Sequence, residues 1–296
     1  MFENILGNEK NKNILEKSIK LNKISHSYLF WGIEGIGKKM IAKEFAKNIL
    51  CLEQKDNCKC KSCIELDSNN NPDFQLIEPK DGKVKIEQIR EMQRKVSEKP
   101  IISNKKVYII ENCDTMTAEA QNCLLKTLEE PPEYITIILI CTNEDNLLTT
   151  IKSRCTKMHF ESINIEEIRK YIKNNHFEQE ISEDIINLSQ GSIGKILKLN
   201  ENKNIYENIE KILLSMQDKD LIEIIQMSEE IYKTKEEVSS ILDYMNVILL
   251  KLSKQNIKYI RCIEIVEQTK KRLKANSNYD MCIDNLLFNM TFMIHK

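Results

Sequence analysis

VYIIENCDTMTAEAQNCLLKTLEEPPEYITIILICTNEDNLLTTIKSRC runs from Val107 to Cys155. Two short apolar, β-branched runs, Val107 to Ile110 and Ile135 to Cys141, each lead into a polar segment, and a helical pattern lies between them. The stretch therefore predicts strand, helix, strand, with polar groups at the strand ends. In an open parallel sheet, ligands gather at the carboxyl ends of the strands, which places Glu111, Asn112, Thr142 and Asn143 where phosphates would be met. Thr117 is the expected N-cap of the intervening helix, Ala120, Cys123, Leu124, Thr127 and Leu128 share one of its faces, and Pro131-Pro132 stops it.

Working outward, the 296 residues exceed the usual size of one domain, so two or three are expected. Net charge is −1, so any nucleic-acid contact must come from a local arrangement of Lys and Arg. No signal pattern opens the chain, and the apolar run Ile135 to Cys141 is far shorter than the roughly 20 residues of a membrane span. A soluble, cytoplasmic protein is expected. Its ten cysteines then read as thiols or metal ligands rather than disulfides.

Punctuation divides the chain. All five prolines lie at or before Pro132 and no glycine follows Gly194, so the last hundred or so residues should be helical. The first half alternates strand and helix signals, which predicts an α/β domain with a parallel sheet. Near its start, Tyr28 to Trp31 reads as a buried strand, with His26 as a structural residue beside it because no nucleophile accompanies it.

Gly32-Ile-Glu-Gly35-Ile-Gly37-Lys38 follows that strand and precedes a helix expected over Met40 to Leu50. The spacing fits G-x-x-x-x-G-K, in which glycines let backbone N–H groups surround phosphates while a helix N-terminus and a lysine add positive charge. A glycine turn without nucleotide is the competing reading. Position 39, which normally supplies a Ser or Thr hydroxyl to Mg²⁺, is Lys39. Where a hydrolytic loop protein ends its second core strand with Asp then Glu, this chain has Glu111 and Asn112, and Asn takes no proton from water. Three parts of the hydrolytic apparatus are altered together, which suggests that hydrolysis is lost.

Cys51, Cys58, Cys60 and Cys63 place four thiols within thirteen residues among lysines, a pattern suited to tetrahedral Zn²⁺ in an insertion too small for its own core. A redox Cys60-x-x-Cys63 pair is the alternative. Further on, Phe74 to Ile77 reads as a strand and Ile86, Ile89, Met92 and Val96 as a helix whose Lys85, Arg90, Arg94 and Lys95 are solvated. Thr142 and Asn143 sit where a polar group could sense a γ-phosphate. Arg154, at the end of a short helix, is either a surface cation or a guanidinium offered to a neighbour's triphosphate. In the last third, Val238, Ile241, Leu242, Met245, Ile248, Leu249 and Leu252 form one apolar stripe, and Ile283, Leu286, Leu287, Met290 and Ile294 another. Lys270-Lys271-Arg272 and Lys274 read as a solvated run.

Gly32 to Lys38, the four cysteines, Asn71-Pro72-Asp73, Val107 to Asp114, Leu124 to Pro132 and Thr149 to Cys155 occur in the order seen in bacterial clamp-loader subunits of the AAA+ class. The chain resembles the delta-prime branch of that family, specifically over about residues 1 to 200. The resemblance implies an AAA+ P-loop sheet domain over 1–160 with a zinc insertion at 51–63, a helical lid over 161–200 and an all-α collar over 201–296. It implies a component of the DNA polymerase III holoenzyme without ATPase activity of its own, partnered by gamma/tau and delta subunits and, through them, by the sliding clamp and primed DNA. Arg154 would then complete the ATP site of a gamma/tau neighbour. Gly32, Gly35, Gly37, Lys38, Glu111, Thr142, Asn143 and Lys195 would form a degenerate nucleotide site. The family's cysteines usually end C-x-x-C-x-x-C, whereas Cys58-Lys59-Cys60 is one residue shorter. An active gamma/tau-type ATPase, or a zinc-dependent nucleic-acid-binding adaptor, are the other classes this sequence leaves open.

Overall fold

The computed structural model describes residues 1–2, 5–55, 58–174 and 181–295. Asp56 and Asn57, inside the expected zinc insertion, lie outside them. The chain divides into two compact units, one comprising Met1–His176 with Gln190–Gly194, the other Phe177–Ser189 with Lys195–Lys296.

Among the described residues, five strands build one sheet in the first unit: β1 (Ser27–Trp31), β2 (Phe74–Ile77), β3 (Lys106–Ile110), β4 (Ile135–Cys141) and β5 (Thr156–His159). Their order is β2-β3-β4-β1-β5, and every pairing is parallel. Strands β3 and β4 are buried along their whole length, as apolar runs on a doubly covered parallel sheet must be. Alternation sorts their side chains. Ile138 and Ile140 join Phe30, Val107 and Ile109 on one face, against Leu15 of α1 (Glu9–Lys20) and Ile41, Phe45 and Ile49 of α2 (Lys38–Leu50). Ile137, Leu139 and Cys141 point the other way with Leu29, Tyr108 and Ile110. They meet Ile89 and Met92 of α4 (Ile86–Val96), Leu124 and Leu128 of α5 (Ala118–Glu129), and Ile151 of α6 (Thr149–Lys152). Each such buried aliphatic side chain stabilises the fold by about 1.5–3 kcal/mol before entropy is counted.

Most expected elements form with their expected bounds, and Thr117 does cap α5, accepting a hydrogen bond from the Ala120 N–H at 3.3 Å. Helix α2 begins two residues before Met40, because Gly37 in the left-handed region already serves as its N-cap. Two elements were not foreseen. Strand β5 is polar and has only Met158 buried, as suits an edge. Helix α3 (Lys61–Asp67) starts inside the cysteine segment.

Asn71-Pro72-Asp73 is a structural clasp. The Asp73 carboxylate, 2 % exposed, accepts the N–H groups of Ile101 at 2.8 Å and of Ile102 and Ser103 at 2.7 Å. Asn71 donates to the Ser62 carbonyl and hydroxyl at 2.9 Å and accepts the Asp73 N–H. Ser103 in turn donates to the Leu50 carbonyl at 2.7 Å and lies 3.0 Å from the Ser62 hydroxyl. The clasp ties the end of α2 and the start of α3 to the segment before β3.

Helix α7 (Ile165–Asn174) lies in the first unit, and α9 (Ile193–Glu201), α11 (Leu221–Met227) and α12 (Glu229–Lys233) follow it among the described residues. In the second unit, α8 (Glu183–Leu188) and α10 (Lys203–Ser215) pack on α13 (Val238–Ser253), α13 packs on α14 (Lys258–Lys274), and α14 packs on α15 (Tyr279–His295). Ile241, Leu242, Met245, Ile248 and Leu249 of α13 and Ile283, Leu286, Leu287, Met290 and Ile294 of α15 are buried, while Val238 and Leu252 at the ends of the first stripe are half-buried. Lys270 departs from the solvated-run reading: it lies 2.8 Å from Asp243 and 2.6 Å from Glu267. Among the described residues no helix is long and apolar enough to cross a membrane.

Replacing Asp73 with Ala leaves three N–H groups without their acceptor, one of them in the buried Ser103. Urea denaturation should show a loss of about 2–4 kcal/mol, whereas Asp73→Asn should lose less.

Candidate nucleotide site and metal centre

Parallel order brings the carboxyl ends of β1, β3 and β4 together, and the glycine loop leaves β1 at that end. Gly32 has φ +146°, and a Cβ there would stand 2.3 Å from the Phe160 carbonyl oxygen, so the loop's first position excludes any side chain. The Gly194 N–H donates to the Gly35 carbonyl at 2.9 Å, and a Cβ on Gly194 would come within 2.8 Å of the Gly35 Cα. The Gly191-to-Gly194 segment thus lies directly on the loop.

The lysines of the loop are held inside the protein. Lys38, 6 % exposed, donates from Nζ to the Gly32 carbonyl at 2.5 Å and to the Ile33 carbonyl at 2.7 Å. Burial lowers its pKa, opposed by the charges of Cys141 and Asp114. Lys39 donates to Glu78 Oε1 and to Glu111 Oε2, both at 2.6 Å. Partial burial pulls the Lys39 pKa down, but the hydrogen bonds to Glu111 and Glu78 outweigh it and the net shift is upward. The hydrogen bond from Lys39 depresses Glu78. Glu78 follows β2 and Glu111 follows β3, so the ammonium bridges two strand ends to the first turn of α2. Sequence reading singled out Lys39 and Glu111 but not Glu78, which no local motif marks.

Thr142 and Asn143 also find partners within the chain. Asp114 Oδ2 accepts the Thr142 hydroxyl at 2.7 Å and the N–H groups of Thr142 and Asn143 at 3.2 and 3.1 Å. The Asn143 side chain accepts the Asp145 N–H. Lys195 belongs to the second unit and lies 3.7 Å from Asp243.

Arg154 stands at the rim of the sheet with a fixed base and a loosely held tip. Ser27 of β1, fully buried, donates to the Arg154 carbonyl at 2.6 Å, and the Arg154 N–H donates to Ile151. The neighbouring Cys155 packs on the core, where burial pushes its thiol up to about 11. The guanidinium, 33 % exposed, donates to the Thr150 carbonyl at 2.8 Å and pairs with Glu129 at 2.8 Å. Exposed ion pairs contribute about 0.2–1 kcal/mol, so this hold is weak.

The four cysteines converge. The Sγ atoms of Cys51, Cys58, Cys60 and Cys63 all lie within 4.8 Å of one another, and none is in a disulfide. Tetrahedral zinc with Zn–S bonds of about 2.3 Å needs sulfurs about 3.8 Å apart, so the cluster fits that ion after slight contraction. The short Cys58-Lys59-Cys60 spacing therefore does not prevent convergence, because α3 starts directly after Cys60 and carries Cys63 back to the others. Burial opposes ionisation of Cys60, but N–H donors at Leu52 and Cys63 outweigh it and bring its thiol down to about 7. Burial pushes Cys63 up.

A family model described as DNA polymerase III, delta subunit, matches residues 7–164. The DNA polymerase III subunit delta' of Bacillus subtilis is 35 % identical over 205 residues, covering 68 % of this chain and 61 % of its own length. The DNA polymerase III subunit tau/gamma of Haemophilus influenzae is 32 % identical over 209 residues, covering 68 % of this chain and 30 % of that protein. The chain thus spans less than two thirds of either relative. A solved DNA polymerase III, gamma subunit-related protein from Thermotoga maritima shares the fold at 19 % identity, with a TM-score of 0.53 over 95 % of this chain and 99 % of that one.

The Lys39 bridge should show in the pH dependence of stability. Glu78 titrates below its ordinary 4.5 in the folded chain, so its contribution is complete above that value and disappears as pH falls through the depressed one. Lys39 titrates above its ordinary 10.5, so its contribution is complete below that value and disappears as pH rises through the raised one. The melting-temperature difference between wild type and Lys39→Met should be flat from about pH 5 to about pH 10 and shrink on either side.

Proposed function

The chain belongs to the DNA polymerase III delta subunit family, and from that premise we propose that it is the delta-prime type of clamp-loader subunit, catalytically silent itself and supplying Arg154 to a neighbour. One observation carries this reading. At the position where hydrolytic loops keep a metal-binding hydroxyl, Lys39 forms two ion pairs at 2.6 Å with Glu78 and Glu111. Asn112 follows, and it cannot act as a base toward water. Names of relatives support the setting, since they include delta' and tau/gamma subunits.

In this reading the first unit supplies a rigid edge. The Arg154 backbone is anchored to β1 through Ser27, while its guanidinium need only leave Glu129 and the Thr150 carbonyl to reach a triphosphate on a gamma/tau subunit. There a planar, permanently charged group stabilises charge developing on the transferring phosphoryl oxygens. The proposed partners are gamma/tau and delta in the cytoplasm, with the sliding clamp and primed DNA met by the assembled ring. The degenerate loop with Glu111, Thr142 and Asn143 would hold any nucleotide without splitting it. Residues 161–200 would act as a lid and 201–296 as the collar that joins subunits. Cys51, Cys58, Cys60 and Cys63 would hold Zn²⁺ as a closed structural site, ordering the insertion without chemistry of its own.

A second reading, an ATPase of the gamma/tau type, is favoured by the 32 % identity to the tau/gamma relative. It requires steady ATP turnover by the purified chain alone, which the first reading denies.

Reconstitution with gamma/tau and delta tests the proposal. Arg154→Ala should sharply lower clamp-loading ATPase, since an arginine finger is worth about 10³–10⁵-fold at the site it serves, while assembly by gel filtration persists; an unchanged rate would sink the assigned role. Metal analysis of the purified chain should return about one zinc per chain, and Cys63→Ser should lose most of it together with thermal stability.

A further inference from the structure

The fold family's hydrolytic members place Mg²⁺ against a Ser or Thr hydroxyl one residue after the loop lysine and a carboxylate at the end of the next core strand. The residues of this chain do not fit that ion. Position 39 offers an ammonium instead of an oxygen, and the carboxylate at the strand end, Glu111, is already bonded to it at 2.6 Å. A second carboxylate, Glu78, closes on the same nitrogen at 2.6 Å. The Lys39 side chain is only about one-third exposed and Glu111 22 % exposed, so the ammonium sits at the mouth of the loop rather than out in solvent.

A divalent cation bound to those oxygens would share them with a tethered positive charge a few ångströms away. Yet the anion-binding parts of the loop are intact. Helix α2 begins at Gly37 with no side chain accepting from its first-turn N–H groups and no acidic residue in that turn. Lys38 lies buried beneath the loop. The Lys38 ammonium is held on the Gly32 and Ile33 carbonyls, so the uncapped N-terminus of α2 is what the loop offers an anion, and the Lys39 ammonium is the cation beside the strand-end carboxylates.

We propose that Lys39 stands in for the divalent cation, so that this loop holds the polyphosphate of a nucleotide metal-free and excludes Mg²⁺. The inference rests on reading Gly32 to Lys38 as a nucleotide loop. It goes beyond loss of hydrolysis, because it assigns the counter-cation and predicts which form of the ligand is bound. Glu78 is then a positioning residue, holding the ammonium in place together with Glu111.

Calorimetric titration of the full-length chain with ADP, in EDTA and in Mg²⁺, tests it. For wild type the two dissociation constants should agree within about threefold. For Lys39→Thr, which restores a hydroxyl beside two carboxylates, Mg²⁺ should tighten binding by at least about tenfold. Electron paramagnetic resonance with Mn²⁺ and ADP should detect a bound ion in Lys39→Thr and none in wild type. A wild-type site that needs Mg²⁺, that retains Mn²⁺, or that fails to bind ADP in either condition would overturn the proposal, whether or not the variant folds. These readings use the isolated chain and do not involve Arg154, so failure of the arginine role and failure of this inference give different results.

Discussion

Burying a parallel sheet on both faces is the constraint from which the rest of this protein follows. Strands β3 and β4 have no exposed residue, so apolar side chains dominate them, and the polar Lys106 and Thr136 stand at the first position of β3 and the second of β4. Polar groups are consequently displaced to the strand ends. Because all pairings are parallel, the carboxyl ends of β1, β3 and β4 share one edge, and Glu111, Thr142 and the glycine loop are delivered there together. The site is a by-product of how the core is built.

At that edge the groups expected to meet phosphate, metal or attacking water are mostly bound to one another. Lys38 is turned onto loop carbonyls, Lys39 onto two carboxylates, and Thr142 onto Asp114. A working hydrolase keeps such groups poised for ligands and leaves them dependent on a metal for neutralisation. Here the neutralising charge is covalently attached. Arg154 contrasts with them: its main chain is anchored to a buried strand while its tip is held only by an exposed carboxylate and one carbonyl. That combination, firm base and loosely held end, suits a group that acts on something outside its own unit.

Short polar motifs divide into those that carry chemistry and those that hold the chain together. Asn71-Pro72-Asp73 is of the second kind, since Asp73 satisfies three main-chain donors and Asn71 reaches Ser62. It fixes the segment from which the four thiols converge. Cys155 likewise packs on the core, while the half-buried Arg154 side chain beside it turns to Glu129.

Local pattern alone determined a good deal. The apolar runs of β1, β3 and β4, the Thr117 cap and Pro131-Pro132 stop of α5, the glycine loop, the cysteine spacing and the stripes of α13 and α15 all depend on residues within a few positions of one another. Strand and helix periodicities express them directly. Strand β5 escaped because three of its four residues are polar and, at a sheet edge, it buries only Met158 and shows no apolar run. Glu78 beside Lys39, Asp114 beneath Thr142 and Glu129 beside Arg154 escaped for a different reason: each pair is separated by between 25 and 39 residues. Which carboxylate meets which cation is settled by strand order and by the lengths of the intervening helices, and neither is written in the spacing of the residues that meet.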